Sequence, residues 1–132
     1  MLVVDASIAV ELSLDRMGSR PLREHELVAP ALLWSEVPCA LSQLAYRRDV
    51  GRDLIERAFN RFVGGKIAIA EHRPHRHARN AWRVAHDFGW AKTYDAEYVA
   101  LAETLDCRLV TLDTRLRRGT DRLGYVITPQ EL

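Results

Sequence analysis

Short apolar runs alternate along this chain with longer stretches of helical periodicity. Leu2 to Asp5 opens on an unbroken apolar run that ends in a carboxylate, the pattern of a buried parallel strand. Ala6 to Leu14 continues as a helix, with Ser7 available near its start as a cap. Leu27 to Ala29 reads as a second strand, ended by Pro30. Ala31 to Arg48 is predicted as a long helix, because Leu33, Val37, Ala40, Leu41 and Leu44 recur at helical spacing. Pro38 lies inside that pattern and predicts a kink or local break. Gly51 starts a further helix through Val63, closed by Gly64-Gly65. Lys66 to Glu71 alternates as a third strand, and Pro74 opens a helix through Asp87 that turns at Gly89. Asp95 to Leu105 is helical, Arg108 to Leu112 is a fourth strand, Thr114 to Arg118 a short basic helix, and Tyr125 to Ile127 a last strand. Strands alternating with helices predict α/β architecture around a mostly parallel sheet of about five strands.

Composition adds limits to this picture. With 132 residues, 48% of them hydrophobic, the chain suits one compact domain, 1–132, with a sizeable core. A formal net charge of +1 gives no bulk attraction to nucleic acid. The kind of cation is more informative: the only lysines are Lys66 and Lys92, and arginine is the better bidentate phosphate ligand. Cys39 and Cys107 stand far apart in no metal-type spacing, as expected of reduced thiols. The opening run reads as a strand rather than a leader, and no stretch has the apolar length of a membrane span. A cytoplasmic protein with no membrane partner is expected.

The candidate chemistry lies in carboxylates. Asp5 and Asp113 each end a predicted strand and begin a helix. In parallel α/β sheets the carboxyl ends of the strands form the ligand-binding edge, so these two acids are expected on one edge. Asp95 opens the helix that leads into the strand before Asp113, and Glu36 lies beside the apolar stripe of the long helix. Taken singly, each has a plain structural explanation as a cap, a turn residue or an ion-pair partner. Taken together, several carboxylates on one edge repel and bind protons more tightly unless a cation neutralises them. Oxygen ligands without Cys or His favour Mg2+ or Mn2+ over zinc. Such a cation suits phosphodiester hydrolysis, by polarising the phosphate and acidifying a water, through one ion or two.

Four segments carry a family resemblance. They are Val3-Val4-Asp5-Ala6-Ser7, Ser35-Glu36-Val37, Tyr94-Asp95-Ala96-Glu97-Tyr98-Val99-Ala100-Leu101-Ala102 and Leu109-Val110-Thr111-Leu112-Asp113. In this order they resemble the PIN-domain ribonucleases, and more narrowly the VapC toxins of bacterial toxin–antitoxin pairs. The resemblance runs from Met1 to the closing Thr128-Pro129-Gln130-Glu131-Leu132. It implies a three-layer α/β/α fold, with Asp5, Glu36, Asp95 and Asp113 gathered around Mg2+ or Mn2+ as metal-binding and catalytic residues. Ser7 matches a small polar position that helps order the site. The resemblance further implies an endoribonuclease that cuts single-stranded RNA to a 3′-hydroxyl and a 5′-phosphate. It implies a cognate, inhibitory VapB-like antitoxin, and homodimers. Glu97 is a fifth acid two residues from Asp95, hence on another helix face and expected to be solvated or to support the site from outside.

Other features weigh less. His72, His75 and His77, interleaved with Arg73, Arg76 and Arg79, match no common zinc spacing and read as a solvated helix start. Arg115, Arg117 and Arg118 follow Asp113 closely and are candidates to hold RNA phosphates, against a plain solvated face. Trp34, Trp82 and Trp90 are read as core or interface residues before base-stacking ones. Two other classes compete: a PIN-like binding module without catalysis, and a phospho-receiver domain. The receiver wants paired acids after the first strand and a lysine near the last; here Asp5 stands alone and no lysine lies beyond Lys92.

Overall fold

The strands among the described residues are short, mostly β-branched or aliphatic, and paired in parallel. In a computed structural model, which describes residues 1–17 and 20–132, β1 (Leu2–Val4), β2 (Leu27–Ala29), β3 (Ile67–Ile69), β4 (Arg108–Val110) and β5 (Val126–Ile127) form one sheet in the order β3-β2-β1-β4-β5. Val3 stands opposite Val28 on one side and Leu109 on the other. Successive strand residues point to opposite faces. Accordingly Val3, Leu109 and Val126 enter one apolar cluster, and Leu2, Val4, Val110 and Ile127 enter another. Both faces are therefore covered, which is the three-layer α/β/α arrangement that the resemblance implies, around the mostly parallel sheet that the pattern predicts.

The helices are α1 (Ala6–Ser13), α2 (Arg20–Arg23), α3 (Leu33–Tyr46), α4 (Arg52–Val63), α5 (Pro74–Asp87), α6 (Tyr94–Leu105) and α7 (Thr114–Gly119). The larger cluster draws on α3, α4, α5 and α6, through Leu33, Val37 and Leu41, Ala58 and Phe62, Val84, and Val99 and Leu101. The smaller one takes Ile8 from α1 and Leu22 from α2. No element is predicted between Leu14 and Leu27, so α2 is new; four residues carry too little periodicity to register. Pro38 does not end its helix: α3 runs through it as one segment, although proline leaves the Trp34 carbonyl without its usual N–H donor. Pro74 takes the first turn of α5, and Gly89 makes the turn after it at φ +68°.

The strand order decides where function can sit. The chain leaves β1 toward β2 and β3, then crosses back to place β4 and β5 on the other side of β1. The gap between β1 and β4, at their carboxyl ends, is a topological switch point, where open α/β sheets bind ligands. Asp5 follows β1 directly, and its backbone N–H reaches the Val110 carbonyl of β4 (3.4 Å). Among the described residues no helix is long and apolar enough to cross a membrane.

Candidate active site

Asp5 is the best-anchored residue at the switch point. It is only 6% exposed. Its carboxylate caps α1 by accepting the Ile8 N–H (3.1 Å) on Oδ1, which also accepts the Ser7 hydroxyl (2.5 Å). Oδ2 accepts the Thr111 hydroxyl. Asp5, not Ser7, is thus the cap of this helix, a correction to the sequence reading. Ser7 is spent elsewhere: its oxygen accepts the Leu112 N–H (2.9 Å) while its proton goes to Asp5. Thr111, fully buried, does the same from the other side, accepting the Asp113 N–H (2.9 Å) and donating to Asp5. An N–H can only donate, so each hydroxyl has its single proton left for the carboxylate. Two hydroxyl relays therefore tie the β1–α1 junction to the β4–α7 junction. Sequence inspection finds Ser7 and misses the role of Thr111: its place at a strand end is legible, but the strand that it faces is not.

The other acids arrive on separate elements. Asp113 caps α7, with Oδ1 accepting the Arg115 N–H (2.8 Å) and the Leu116 N–H (3.1 Å). Glu36 sits in the first turn of α3, where the helix N-terminus favours a negative charge. Its Oε2 accepts the hydroxyl of Tyr98 (2.5 Å), a side chain 2% exposed on α6. Asp95 lies in the first turn of the same helix. Tyr98 was also missed; nothing local announces that one helix's tyrosine will meet another's glutamate.

The electrostatics bind the four into one group. Burial raises the proton affinity of Asp5 most, against three hydrogen bonds that lower it, and the charge of Asp95 adds to the rise. Burial also raises Glu36, as do the charges of Asp95, Asp5 and Glu97, while Tyr98 lowers it. Asp95 opens to solvent at its tip, yet lost hydration and then the charge of Asp113 raise it, with Arg115 opposing. Each raised acid thus feels another member of the set. Arg115 is the cation at this edge, which the sequence reading had placed there without singling it out. Arg117 differs from its two neighbours. Its guanidinium bonds Glu131 through Nε (3.1 Å) and Nη2 (2.7 Å), and Asp121 through Nη1 (2.7 Å). It clamps the C-terminal turn and is not available to RNA phosphates, which corrects that assignment. Arg118 is exposed.

The histidine run is a solvated helix start at Arg73, His75, Arg76 and Arg79, and departs from that reading at His77. His77 is 7% exposed, its ring meets His72 at 4.2 Å between centroids, and its Nε2 lies 3.5 Å from Glu97. Burial and then the His72 charge lower the His77 proton affinity, while burial raises that of Glu97. Glu97 thus belongs to this pair and acts on the acidic edge only through its charge. Of the tryptophans, Trp90 stacks on Phe88 at the core margin, Trp34 leans on Phe62, and Trp82 lies exposed against His86.

Among the described residues no three His, Cys, Asp or Glu side chains already converge closely enough to chelate an ion. The donors facing the edge are nonetheless all hard oxygens. Both oxygens of Asp95, Oε1 of Glu36 and Oδ2 of Asp113 accept no hydrogen bond within the described residues, and Oδ2 of Asp5 accepts one. This loose, oxygen-only set fits a divalent cation that keeps several of its waters, not one caged by protein. A family model described as the PIN domain matches residues 2–121.

The chain belongs to the PIN-domain family, in its VapC type.

This PIN domain is 36% identical over 117 residues to VapC ribonuclease Mb0985 of Mycobacterium bovis and to Ribonuclease VapC9 of Mycobacterium tuberculosis, covering 88% of each chain. Its fold matches that of PAE2754 from Pyrobaculum aerophilum, with a TM-score of 0.75 and 25% identity, over 98% of this chain and 91% of that one. FitAcB from Neisseria gonorrhoeae matches with a TM-score of 0.61 at 14% identity over all of both chains, a likeness of fold.

Proposed function

We propose that this PIN domain is a metal-dependent endoribonuclease and the toxin of a toxin–antitoxin pair. The observation that carries the reading is the shared electrostatics of the acids at the β1/β4 switch point: Asp5, Glu36 and Asp95 each hold a proton more tightly, in part through the charge of another acid of the set, Asp113 included. Relatives named VapC ribonuclease, alike over most of their length, support the ribonuclease part of this reading.

In this reading the four acids hold Mg2+, or Mn2+ in its place. When bound, the cation supplies charge neutralisation and Lewis acidity toward a phosphodiester and a water. The residues of the chain supply the rest. Asp5, held on three sides by Ser7, Thr111 and the Ile8 N–H, presents its carboxylate in one orientation. Glu36 is steadied at one oxygen by Tyr98 and keeps the other for a proton from the attacking water, a task its raised proton affinity suits. Arg115, exposed beside Asp95, offers a guanidinium to a phosphate flanking the scissile one. The products are a 3′-hydroxyl and a 5′-phosphate. A VapB-like antitoxin that blocks this edge must bring positive charge to it, most simply an arginine. The toxin acts in the cytoplasm, as a homodimer.

The test is cleavage of single-stranded RNA by purified protein. Activity is expected with Mg2+ or Mn2+, and none in excess EDTA, with Asp5→Asn or with Asp95→Asn. Undiminished cleavage in EDTA rejects the metal reading, and near-normal activity of either variant removes that residue from the site. Expression alone should arrest bacterial growth, and co-expression of the adjacent small gene should relieve it. If no neighbouring product binds the protein, the toxin assignment fails while the nuclease assignment stands.

A further inference from the structure

The buried stripe of α3 is Leu33, Val37 and Leu41. A second stripe runs beside it at the same helical spacing: Leu32, Ser35, Glu36, Cys39, Ala40 and Gln43. With Ala6 of α1 and Tyr94 of α6, this stripe lines an open groove of about 480 Å3. That volume falls within the ~300–1,000 Å3 of small-ligand sites. Glu36, the one charged residue on its walls, also belongs to the acidic edge, and Tyr94 directly precedes Asp95, so the groove is continuous with the candidate active site.

We propose that this groove is a nucleobase subsite, taking the base of the nucleotide next to the scissile phosphate. The inference rests on the ribonuclease reading and extends it to how the substrate is held. The chemistry favours a base over a phosphate. Among the described residues the walls carry no cation, and the neighbouring carboxylates repel phosphate oxygens, whereas a base is uncharged. Leu32, Ala6 and Ala40 give it an apolar floor. Tyr94, 53% exposed, offers a ring face for stacking, the usual way in which splayed bases of single-stranded RNA are held. Ser35 and the Gln43 amide stand at the rim with donors and acceptors for a base edge. The Gln43 amide has only a weak contact within the protein, to the Cys39 sulfur at 3.7 Å, so it is available.

Cys39 lines this groove as an exposed thiol and reports its occupancy. The experiment uses the Asp5→Asn protein, expected to hold RNA without cutting it, and short single-stranded RNAs. Fluorescence anisotropy reads RNA binding, and alkylation by iodoacetamide reads Cys39, with Cys107 as internal reference. Bound RNA is expected to slow Cys39 alkylation severalfold, and an abasic nucleotide at one position beside the cleavage site is expected to restore it. Tyr94→Ala should weaken binding about five- to tenfold, the low end of base–aromatic stacking. In the active protein, Gln43→Ala and the groove-filling Ala40→Phe should flatten the base preference at that same position in a randomised RNA library. If RNA binds and is cut but Cys39 stays equally reactive and both variants keep the wild-type preference, the subsite is refuted and the ribonuclease reading survives. If no RNA is bound or cut, both fail together.

Discussion

Replacing Thr111 by valine deletes one hydroxyl and keeps the shape of the side chain. That hydroxyl is fully buried, donates to Asp5 and accepts from the Asp113 N–H. A hydrogen bond to a charged group contributes ~1.5–3 kcal/mol, and the half-buried N–H that loses its acceptor adds ~0.5–1.5 kcal/mol. Removing the hydroxyl also removes the need to bury it, so the expected net loss is about 2–3 kcal/mol. For a chain of this size that lowers Tm by roughly 6–12 °C. The loss should depend on pH, and its sign follows from Asp5. Burial holds the folded Asp5 carboxyl above its ordinary value. Its ionised form therefore destabilises the metal-free fold as pH rises from the unfolded carboxyl range through the folded value. Thr111→Val withdraws a donor from the ionised form and pushes that value higher. The difference from wild type should be largest above the folded Asp5 value and shrink as pH falls below the ordinary carboxyl range, where Asp5 is protonated in both proteins. Thermal unfolding in EDTA across that range measures it, with Thr111→Ser as the control that keeps the hydroxyl. Ribonuclease activity should also fall, by ~10- to 100-fold, as for other groups that orient metal ligands. A Thr111→Val protein with wild-type Tm at both ends of the range would refute the relay.

Further outcomes follow from the same geometry. Burial and mutual charge raise Asp5, Glu36 and Asp95 together, so in EDTA wild type should lose stability as pH rises above the ordinary carboxyl range, and Asp5→Asn should lose less. Mg2+ should raise the wild-type Tm and leave that of Asp5→Asn nearly unchanged; equal shifts would mean the ion binds elsewhere. Tyr98→Phe frees Glu36 from its hydrogen bond, which should cost about 1 kcal/mol and move the basic group in the pH–rate profile upward, and an unmoved profile would separate Glu36 from proton transfer. Arg115→Gln should weaken RNA binding and reduce its salt slope by ~0.7, the value for one single-strand phosphate contact. Arg117→Gln should leave that slope alone. Arg117 instead holds the Glu131 carboxyl down at about 2. Glu131 therefore stabilises the fold above the ordinary carboxyl range and loses that contribution as pH falls toward its folded value, and Arg117→Gln should weaken this acid dependence in unfolding scans, the Thr128 N–H and hydroxyl still holding part of it.

The sequence by itself determined the kind and rough place of every element but the short α2 and the closing 3-10 turns. Apolar runs too short for helices, such as Leu2–Val4, and stripes such as Leu33, Val37 and Leu41 differ in period, and period is a property of the local chain. It also located Asp5 and Asp113, because each closes a strand that is legible without its partners. The rest depended on which strands are neighbours. Only the order β3-β2-β1-β4-β5 makes the ends of β1 and β4 adjacent and lets Thr111 reach across 106 residues to Asp5. Tyr98 meets Glu36 across 62 residues for the same reason. Arg117 shows the converse. In the chain it is one of three like arginines, and only the return of the C-terminus beside α7 turns it into an ion-pair clamp. His77 likewise reads as surface until α5 and α6 pack together and bury it against Glu97. Periodicity is written within a few residues, but a carboxylate's proton affinity is set by whatever the fold brings within a few ångströms of it, and that is decided only when distant segments meet.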